Sequence, residues 1–342
     1  MSASSLSDWT EILLVTEERE ELSYSLLSAL LKGLKIAEAE QELEDAADAE
    51  HRDPSEAGPD PGEEDVPLPR RRDIRGTRDV KVELIFSEVA RRRASAPQVY
   101  PFTEEDRKVV HVGACGEAAY LFLLVLGQED LPYRSERRTH EVEAAYDLLC
   151  AVALEQYLGR NARSVRFARN SSDPDDDEAR PELFSDAVVW LRKKLALTPG
   201  TDPPPDDGPV PHWEIPDALN SYSDAGVDAV VWWHFRDGRP GFPVLLAQCT
   251  VQISWGEKLS DINTDLWRQW INFRTNPPQR ALVIPFAVDL RYPLWPNRTT
   301  EAGLILDRIR VIELLDEIGC DRLRELPDEA TRQWVQTELR AA

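Results

Sequence analysis

Two polar side chains stand at matching ends of two apolar segments in the second half of the chain. Asp228 begins the β-branched and aromatic segment 228–235, and Gln248 lies near the end of the segment 244–251. Turn residues between the segments predict a hairpin of two mostly buried strands. Pairing of these strands brings Asp228 and Gln248 together at one end of a sheet. A carboxylate and an amide oxygen there are ligands that Mg²⁺ accepts, with water and phosphate oxygens in its remaining octahedral positions.

Each of these residues also has an ordinary structural interpretation. An Asp before an apolar strand often serves as a turn or cap residue. Gln248 is harder to explain in this way, because an amide inside a buried strand needs hydrogen-bond partners. Alternation along the strand predicts that Cys249 points to the opposite face from this site and belongs to the core.

The flanking elements predict an α/β fold. Residues 138–158 keep apolar side chains at a 3.6-residue period and predict a long helix that contains Asp147. After the hairpin, residues 255–273 predict an amphipathic helix and residues 281–288 a third strand. Residues 304–312 predict a fourth strand or a strand-to-helix junction. Strands and helices in this order are typical of a sheet flanked by helices.

These residues resemble the PD-(D/E)XK nucleases of the restriction-endonuclease-like fold. That family shares a helix with an acid, a strand with an Asp, a strand with an acid or Gln followed by a spacer and a Lys, and then a helix. The matching residues are Asp147, with Glu143 one turn earlier as a substitute, then Asp228 and Gln248. The resemblance covers roughly residues 140 to 320 and is closest to an uncharacterised bacterial branch found beside defence and restriction genes. It implies a mixed central sheet flanked by helices.

The resemblance also implies a reaction and a cofactor. Mg²⁺ or Mn²⁺ would be held by Asp228 and Gln248, with Asp147 or Glu143 completing the site, and a metal-activated water would hydrolyse a DNA phosphodiester, as in anti-phage defence. Thr250 stands where the family has its catalytic lysine, and Thr carries no charge. Lys258, at the start of the next predicted helix, is the nearest replacement.

Positive side chains near these segments are candidates for contact with DNA. The predicted DNA-binding residues are Arg160, Arg163, Arg268 and Arg274. Further positive charge for the substrate is expected from Arg166, Arg169 and Arg280. One alternative is a catalytically inactive nuclease fold that binds DNA or a partner protein. Another is an unrelated α/β domain in which the motif match is accidental.

The charge of the chain is concentrated in its first part. The net charge is -23, and residues 1–66 hold 19 acids and 4 bases, which leaves only -8 for the rest. Residues 1–37 predict amphipathic helices that need a partner surface, and residues 38–66 an acidic disordered linker. This acidic run is either a solubilising tether or a mimic of DNA charge. Residues 67–139 predict a mainly helical connecting region, and residues 321–342 a C-terminal helix.

Cysteines and hydropathy suggest a compartment. The four cysteines lie far apart with no CxxC pair, which predicts neither a zinc site nor a disulfide framework. Neither a membrane span nor a secretory signal is expected. We therefore expect a soluble, reduced, cytoplasmic protein.

Overall fold

The computed structural model describes most of the chain. The described residues are 3–16, 19–31, 71–128, 140–159, 161–168, 179–196, 223–235, 237, 241–271, 273, 277–290 and 292–341. They divide into two compact units. Unit 1 comprises Met1–Arg91 and Phe102–Val112, and unit 2 comprises Arg92–Pro101 and Gly113–Ala342. The predicted linker 38–66 lies outside the described residues.

Unit 1 combines helices with a small antiparallel sheet in the order β1-β3-β2. Its elements are α1 (Ala3–Thr16), β1 (Glu21–Ser23), α2 (24–31), the greater part of α3 (Arg71–Ser95), β2 (Phe102–Glu105) and β3 (Lys108–His111). The turn between β2 and β3 has positive φ at Asp106 and Arg107, the backbone that a two-residue hairpin turn requires. Residues 67–139 thus contain a hairpin as well as the predicted helices.

Unit 2 is built on a mixed five-stranded sheet in the order β4-β5-β6-β7-β8. The strands are β4 (Ala162–Arg166), β5 (Ala229–Trp233), β6 (Val244–Cys249), β7 (Gln279–Val283) and β8 (Leu304–Leu306). β4, β5 and β6 pair antiparallel, whereas β6, β7 and β8 pair parallel. Parallel neighbours need crossover connections.

The helices of unit 2 cover this sheet. They are α4 (Glu117–Leu126), α5 (His140–Leu158), α6 (Phe184–Ala196), α7 (Thr264–Trp270), α8 (Trp295–Ala302), α9 (Arg308–Asp316), α10 (Cys320–Leu323) and α11 (Glu329–Ala341). α5 packs against β4, β5 and β6, and also against α9. The other face of the hairpin buries apolar side chains of α6 and α7, including Trp267. Burial of strand residues on both faces explains why β5 and β6 are almost continuously apolar.

The sequence predicted an α/β unit with a mixed sheet flanked by helices, and the structure confirms this class. The predicted hairpin and the long helix before it are present. The single helix predicted over residues 255–273 is wrong: a short 3₁₀ helix (Trp255–Glu257) comes first, and α7 begins only after Asn263. The Asn263 side chain accepts hydrogen bonds from the N–H groups of Asp265 and Leu266, so it caps α7 and separates it from the preceding turn.

Two cysteines are joined in unit 2, contrary to the sequence-based expectation. Cys115, just before α4, and Cys320, at the start of α10, form a disulfide across a separation of 205 residues. Such a pair has no local spacing signature, which is why the sequence did not reveal it. Cys150 and Cys249 are free thiols. Within the described residues, no helix is both long and apolar enough to cross a bilayer.

Candidate functional site

Three polar side chains from three elements of unit 2 converge at one end of the sheet. α5 contributes Asp147, the residue just before β5 is Asp228, and β6 ends at Cys249. One ligand atom from each of these residues lies within 4.8 Å of the others. The group lines an open cleft of about 490 Å³. Two carboxylates and a thiol thus come together in the lining of one cleft.

The backbone of Asp228 is fixed by both neighbouring strands. Its carbonyl accepts hydrogen bonds from the N–H groups of Phe167 and Ala168, at 2.6 and 3.1 Å, and its N–H donates to the carbonyl of Ala247 at 2.8 Å. The carboxylate accepts a further bond from the Cys249 N–H, at 2.7 Å. The position of this carboxylate is therefore set by the sheet itself.

Asp147 is buried and paired with an arginine from the first strand of the sheet. Its Oδ2 lies 2.8 Å from Nε of Arg166, and the two side chains are 8% and 19% exposed. Arg166 is the last residue of β4 and lies opposite Ala229. The arginine consequently stands beside both carboxylates of the cleft.

The residue of β6 that faces Asp228 differs from the predicted one. Continued by one step beyond the Ala229–Ala247 pair, the antiparallel register would set Asp228 opposite Gln248. Instead, the Asp228 N–H bonds to the carbonyl of Ala247, so the regular pairing ends there. The thiol of Cys249 then joins the carboxylates, and the prediction that this cysteine points away from the site into the core is wrong.

Gln248 belongs to a second polar group. Its amide nitrogen donates to Oδ2 of Asp261 at 3.1 Å, and Nζ of Lys258 lies 3.1 Å from the same oxygen. The amide oxygen of Gln248 is buried and has no hydrogen-bond partner among the described residues. Gln248 and Lys258, predicted to act beside Asp228, are thus brought together around Asp261, and neither lines the cleft.

The remaining predicted residues of the motif do line the cleft. Glu143 lies one turn before Asp147 on α5, and Thr250 follows β6. The hydroxyl of Thr250 accepts a hydrogen bond from the N–H of Gln252 at 3.2 Å, and its backbone N–H donates to the carbonyl of Val283. Thr250 therefore offers the cleft a neutral hydroxyl.

Burial and the charges of neighbouring acids raise the pKa values of the acidic groups in this site. Burial raises the pKa of Asp147 to about 6, against the lowering by the hydrogen bond and charge of Arg166. Burial also raises the pKa of Asp228 well above its ordinary value, and the charge of Asp147 adds to this effect. The pKa of the Cys249 thiol is raised by its hydrogen bond with Cys150 and by burial. Burial is the largest cause of the raised pKa of both carboxylates, and the charges of neighbouring acids add to it.

The donor set fits a divalent cation. Two carboxylates from different elements suit Mg²⁺ or Mn²⁺, which prefer oxygen ligands. Among the described residues that line the cleft, one guanidinium opposes their negative charge. A dication would therefore stabilise the ionised form of both carboxylates, whose pKa values are raised by burial and, less strongly, by neighbouring acids. Cys249 would be a poor ligand for Mg²⁺ and a better one for softer metals.

Two of the four predicted DNA-binding arginines, Arg163 and Arg268, belong to the described residues. Arg163 lies on β4 with an exposed side chain, and Arg268 lies on α7, 3.6 Å from Asp265. Neither lines the cleft. Arg160 and Arg274 lie outside the described residues.

Sequence reasoning did not predict that Arg166 pairs with Asp147, nor the strand that holds this arginine. Residues 162–168 alternate only weakly between polar and apolar, so β4 gave no clear strand signal. The position of Arg166 beside Asp147 depends on β4 pairing with β5, which follows it after a long connection. The one available signal was the apolar Val165 and Phe167 on alternate positions.

Comparison with known proteins gave no family assignment for this fold and site. No protein-family model, no curated protein and no solved structure matches the chain.

Proposed function

We propose that unit 2 is a restriction-endonuclease-like domain that hydrolyses phosphodiester bonds of DNA with the help of Mg²⁺ or Mn²⁺. The observation that carries the proposal is the pair of carboxylates, Asp147 from a helix and Asp228 from a strand, within 4.8 Å of each other in an open cleft. Asp147, Asp228 and, through water, Glu143 would hold the cation. Gln248, predicted as a ligand from the sequence, is not included, because its amide nitrogen bonds to Asp261 and the residue does not line the cleft.

The order of elements supports the same proposal. The helix α5 with its acid is followed by β4 and α6, then by the strands β5 and β6, and then by α7 and the parallel strand β7. Within this series, α5, β5, β6 and α7 come in the order of helix, strand, strand and helix that the resemblance to PD-(D/E)XK nucleases implies. The acid on the helix and the Asp at the strand are also at the positions that the motif requires.

The proposed reaction adds one water molecule across one P–O ester bond. The water oxygen forms a bond to phosphorus, the ester oxygen leaves, and the proton released by water passes through solvent to the leaving oxygen. A bound dication supplies charge to the phosphate and lowers the pKa of water. The chain's own part is to hold two carboxylates in fixed positions, one through Arg166 and one through the Cys249 N–H.

A second candidate is a nuclease fold without catalysis that binds DNA or a protein partner. It is favoured by one observation: the cation predicted to replace the motif lysine, Lys258, is paired with Asp261 away from the cleft. Thr250 offers only a neutral hydroxyl where the family's charge would be.

A cleavage assay with matched variants decides between the two. The full chain is incubated with supercoiled and linear DNA in Mg²⁺ or in Mn²⁺, beside Asp147→Asn and Asp228→Asn. We expect metal-dependent cutting, with a loss of at least about 100-fold in each variant. Asp321→Asn removes an exposed acid that pairs with Arg324 outside the cleft and should cut normally.

Binding measurements complete the comparison. Mn²⁺ binding, followed by the electron paramagnetic resonance signal of the free ion, should weaken in Asp147→Asn and Asp228→Asn but not in Asp321→Asn. DNA binding without cutting in either metal would reject the nuclease and favour the second candidate.

A further inference from the structure

Arg166 holds a distinctive position in the candidate site. Among the described residues that line the cleft, it is the one with a cationic side chain. Four acids line the same cleft, namely Glu143, Asp147, Asp224 and Asp228. An anionic substrate entering this cleft would meet mostly like charge, so the position of this one cation decides how an anion can approach.

Both the backbone and the side chain of Arg166 are held in place. Its backbone is at the end of β4, paired with Ala229 one residue after Asp228. Its Nε donates to Oδ2 of Asp147 at 2.8 Å, and 19% of the side chain remains exposed. A guanidinium has five N–H donors in a rigid plane, so a bond through Nε is compatible with further donation to a second oxyanion.

The other candidate cation is engaged elsewhere. Nζ of Lys258 lies 3.1 Å from Oδ2 of Asp261, an oxygen that also accepts from Gln248. Lys258 does not line the cleft, and Thr250, which does, has no charge. The missing charge of the motif is therefore not supplied from the β6 side of the site.

We infer that Arg166 is the catalytic cation of this site, contacting the nonbridging oxygens of the scissile phosphodiester in place of the motif lysine. This inference rests on the proposed function of the cleft. Arginine binds phosphate oxygens in a bidentate manner, and its charge opposes the negative charge that develops on phosphorus during attack by water. The bond to Asp147 orients the guanidinium before substrate arrives.

Three variants of the full chain test this role. Arg166→Gln removes the charge, and Arg166→Lys retains it without the bidentate fork. Arg322→Gln is the matched control, because Arg322 also pairs with a carboxylate, that of Glu155, at 3.3 Å, but lies outside the cleft. Circular dichroism and urea unfolding establish that each variant is folded.

Cleavage, DNA binding and metal binding are measured separately. In Mn²⁺, Arg166→Gln should cut at least about 100-fold more slowly than the wild type, and Arg166→Lys should recover about tenfold of that loss. In Ca²⁺, fluorescence anisotropy with a labelled duplex should show about tenfold weaker binding by Arg166→Gln. The Mn²⁺ affinity of Arg166→Gln should be equal to or higher than that of the wild type, because Asp147 no longer shares an oxygen with the guanidinium.

The outcomes separate this inference from the proposed function. Normal cutting by Arg166→Gln would overturn the role of Arg166 and leave the nuclease proposal standing. The same conclusion would follow if a further variant, Lys258→Gln, lost cutting while Arg166→Gln retained it. Loss of Mn²⁺ binding together with cutting in Arg166→Gln would show that the arginine only positions Asp147, and would also overturn it. A wild-type protein that neither cuts nor binds DNA in any metal would reject both.

Discussion

Asp147 and Asp228 lie side by side but are restrained by different groups. The carboxylate of Asp147 is held by a charged side chain, that of Arg166, whereas the carboxylate of Asp228 is held by a backbone N–H, that of Cys249. A backbone donor is lost only on substitution by proline, whereas a side-chain donor is lost on most substitutions. The geometry at Asp147 is therefore the more sensitive of the two to a change in sequence.

The raised pKa of Asp147 predicts how stability depends on pH in metal-free protein. The folded protein raises this pKa from 3.8 to about 6, so between these values it binds a proton that the unfolded chain releases. The free energy of unfolding contributed by this group is thus lowest above pH 6 and rises as the pH falls toward 4. A shift of about two pKa units corresponds to about 3 kcal/mol.

Urea unfolding in EDTA measures this effect. Relative to Asp147→Asn, the wild type should gain about 2 kcal/mol between pH 7 and pH 4.5. In the variant, the pKa of Asp228 is also raised less, because the charge of Asp147 is absent. The variant therefore gains less stability than the wild type as the pH falls. A difference that does not change with pH, or that changes in favour of the variant, would contradict the prediction.

Residue types predicted part of the candidate site. Asp147 and Asp228 were identified because an acid on a helix and an acid before a buried strand fit a motif. Cys249 was assigned to the wrong face, because strand alternation holds only while the register is regular, and here the pairing ends at Ala229–Ala247. No local pattern reveals where a ladder stops.

At the scale of elements, the connection from α8 to β8 depends on Gly303. Its φ is +82°, and a Cβ added there would lie 2.6 Å from the carbonyl oxygen of Arg280. Both the backbone conformation and the close approach of β7 exclude a side chain. Gly303 thus allows the chain to pass close to β7 just before β8, which pairs parallel with β7.

Gly303→Ala should therefore destabilise the protein more than a comparable glycine substitution. Gly319 has nearly the same φ, +83°, with no atom within 4 Å of an added Cβ. We expect Gly319→Ala to cost about 1–3 kcal/mol through backbone strain, and Gly303→Ala at least about 1 kcal/mol more through the clash. Equal losses in urea unfolding would show that the contact with Arg280 relaxes freely.

Elements with strong local signals were predicted, and elements defined by distant partners were not. The β5–β6 hairpin and α5 follow from apolar periodicity and from the turn residues between strands. β4 escaped prediction because its residues acquire strand structure by pairing with β5 far along the chain. The helix over residues 255–273 was overextended because periodicity continues across Asn263, where the cap interrupts the helix.

For the molecule as a whole, the Cys115–Cys320 disulfide should be the strongest single constraint on the unfolded chain. It closes a loop over a separation of 205 residues. Loop-closure entropy then predicts a stabilisation of about 5 kcal/mol. Addition of dithiothreitol should lower the free energy of unfolding by about this amount in urea titrations.

The double variant Cys115→Ser and Cys320→Ser is the control for this experiment. It should have the stability of the reduced wild type and should not respond to dithiothreitol. A response of the double variant would assign the effect to Cys150 or Cys249, the thiols that are free in the structure.

The β5–β6 hairpin also has a consequence for the order in which the protein folds. Asp228 and Cys249 are only 21 residues apart, and the bond between them closes the open end of a hairpin. Asp147 is separated from Asp228 by a loop roughly four times longer, whose closure costs about 1 kcal/mol more in chain entropy. We therefore expect the strand half of the site to form first during refolding and α5 to dock on it later. Metal affinity would then appear late in refolding, only after the sheet has formed.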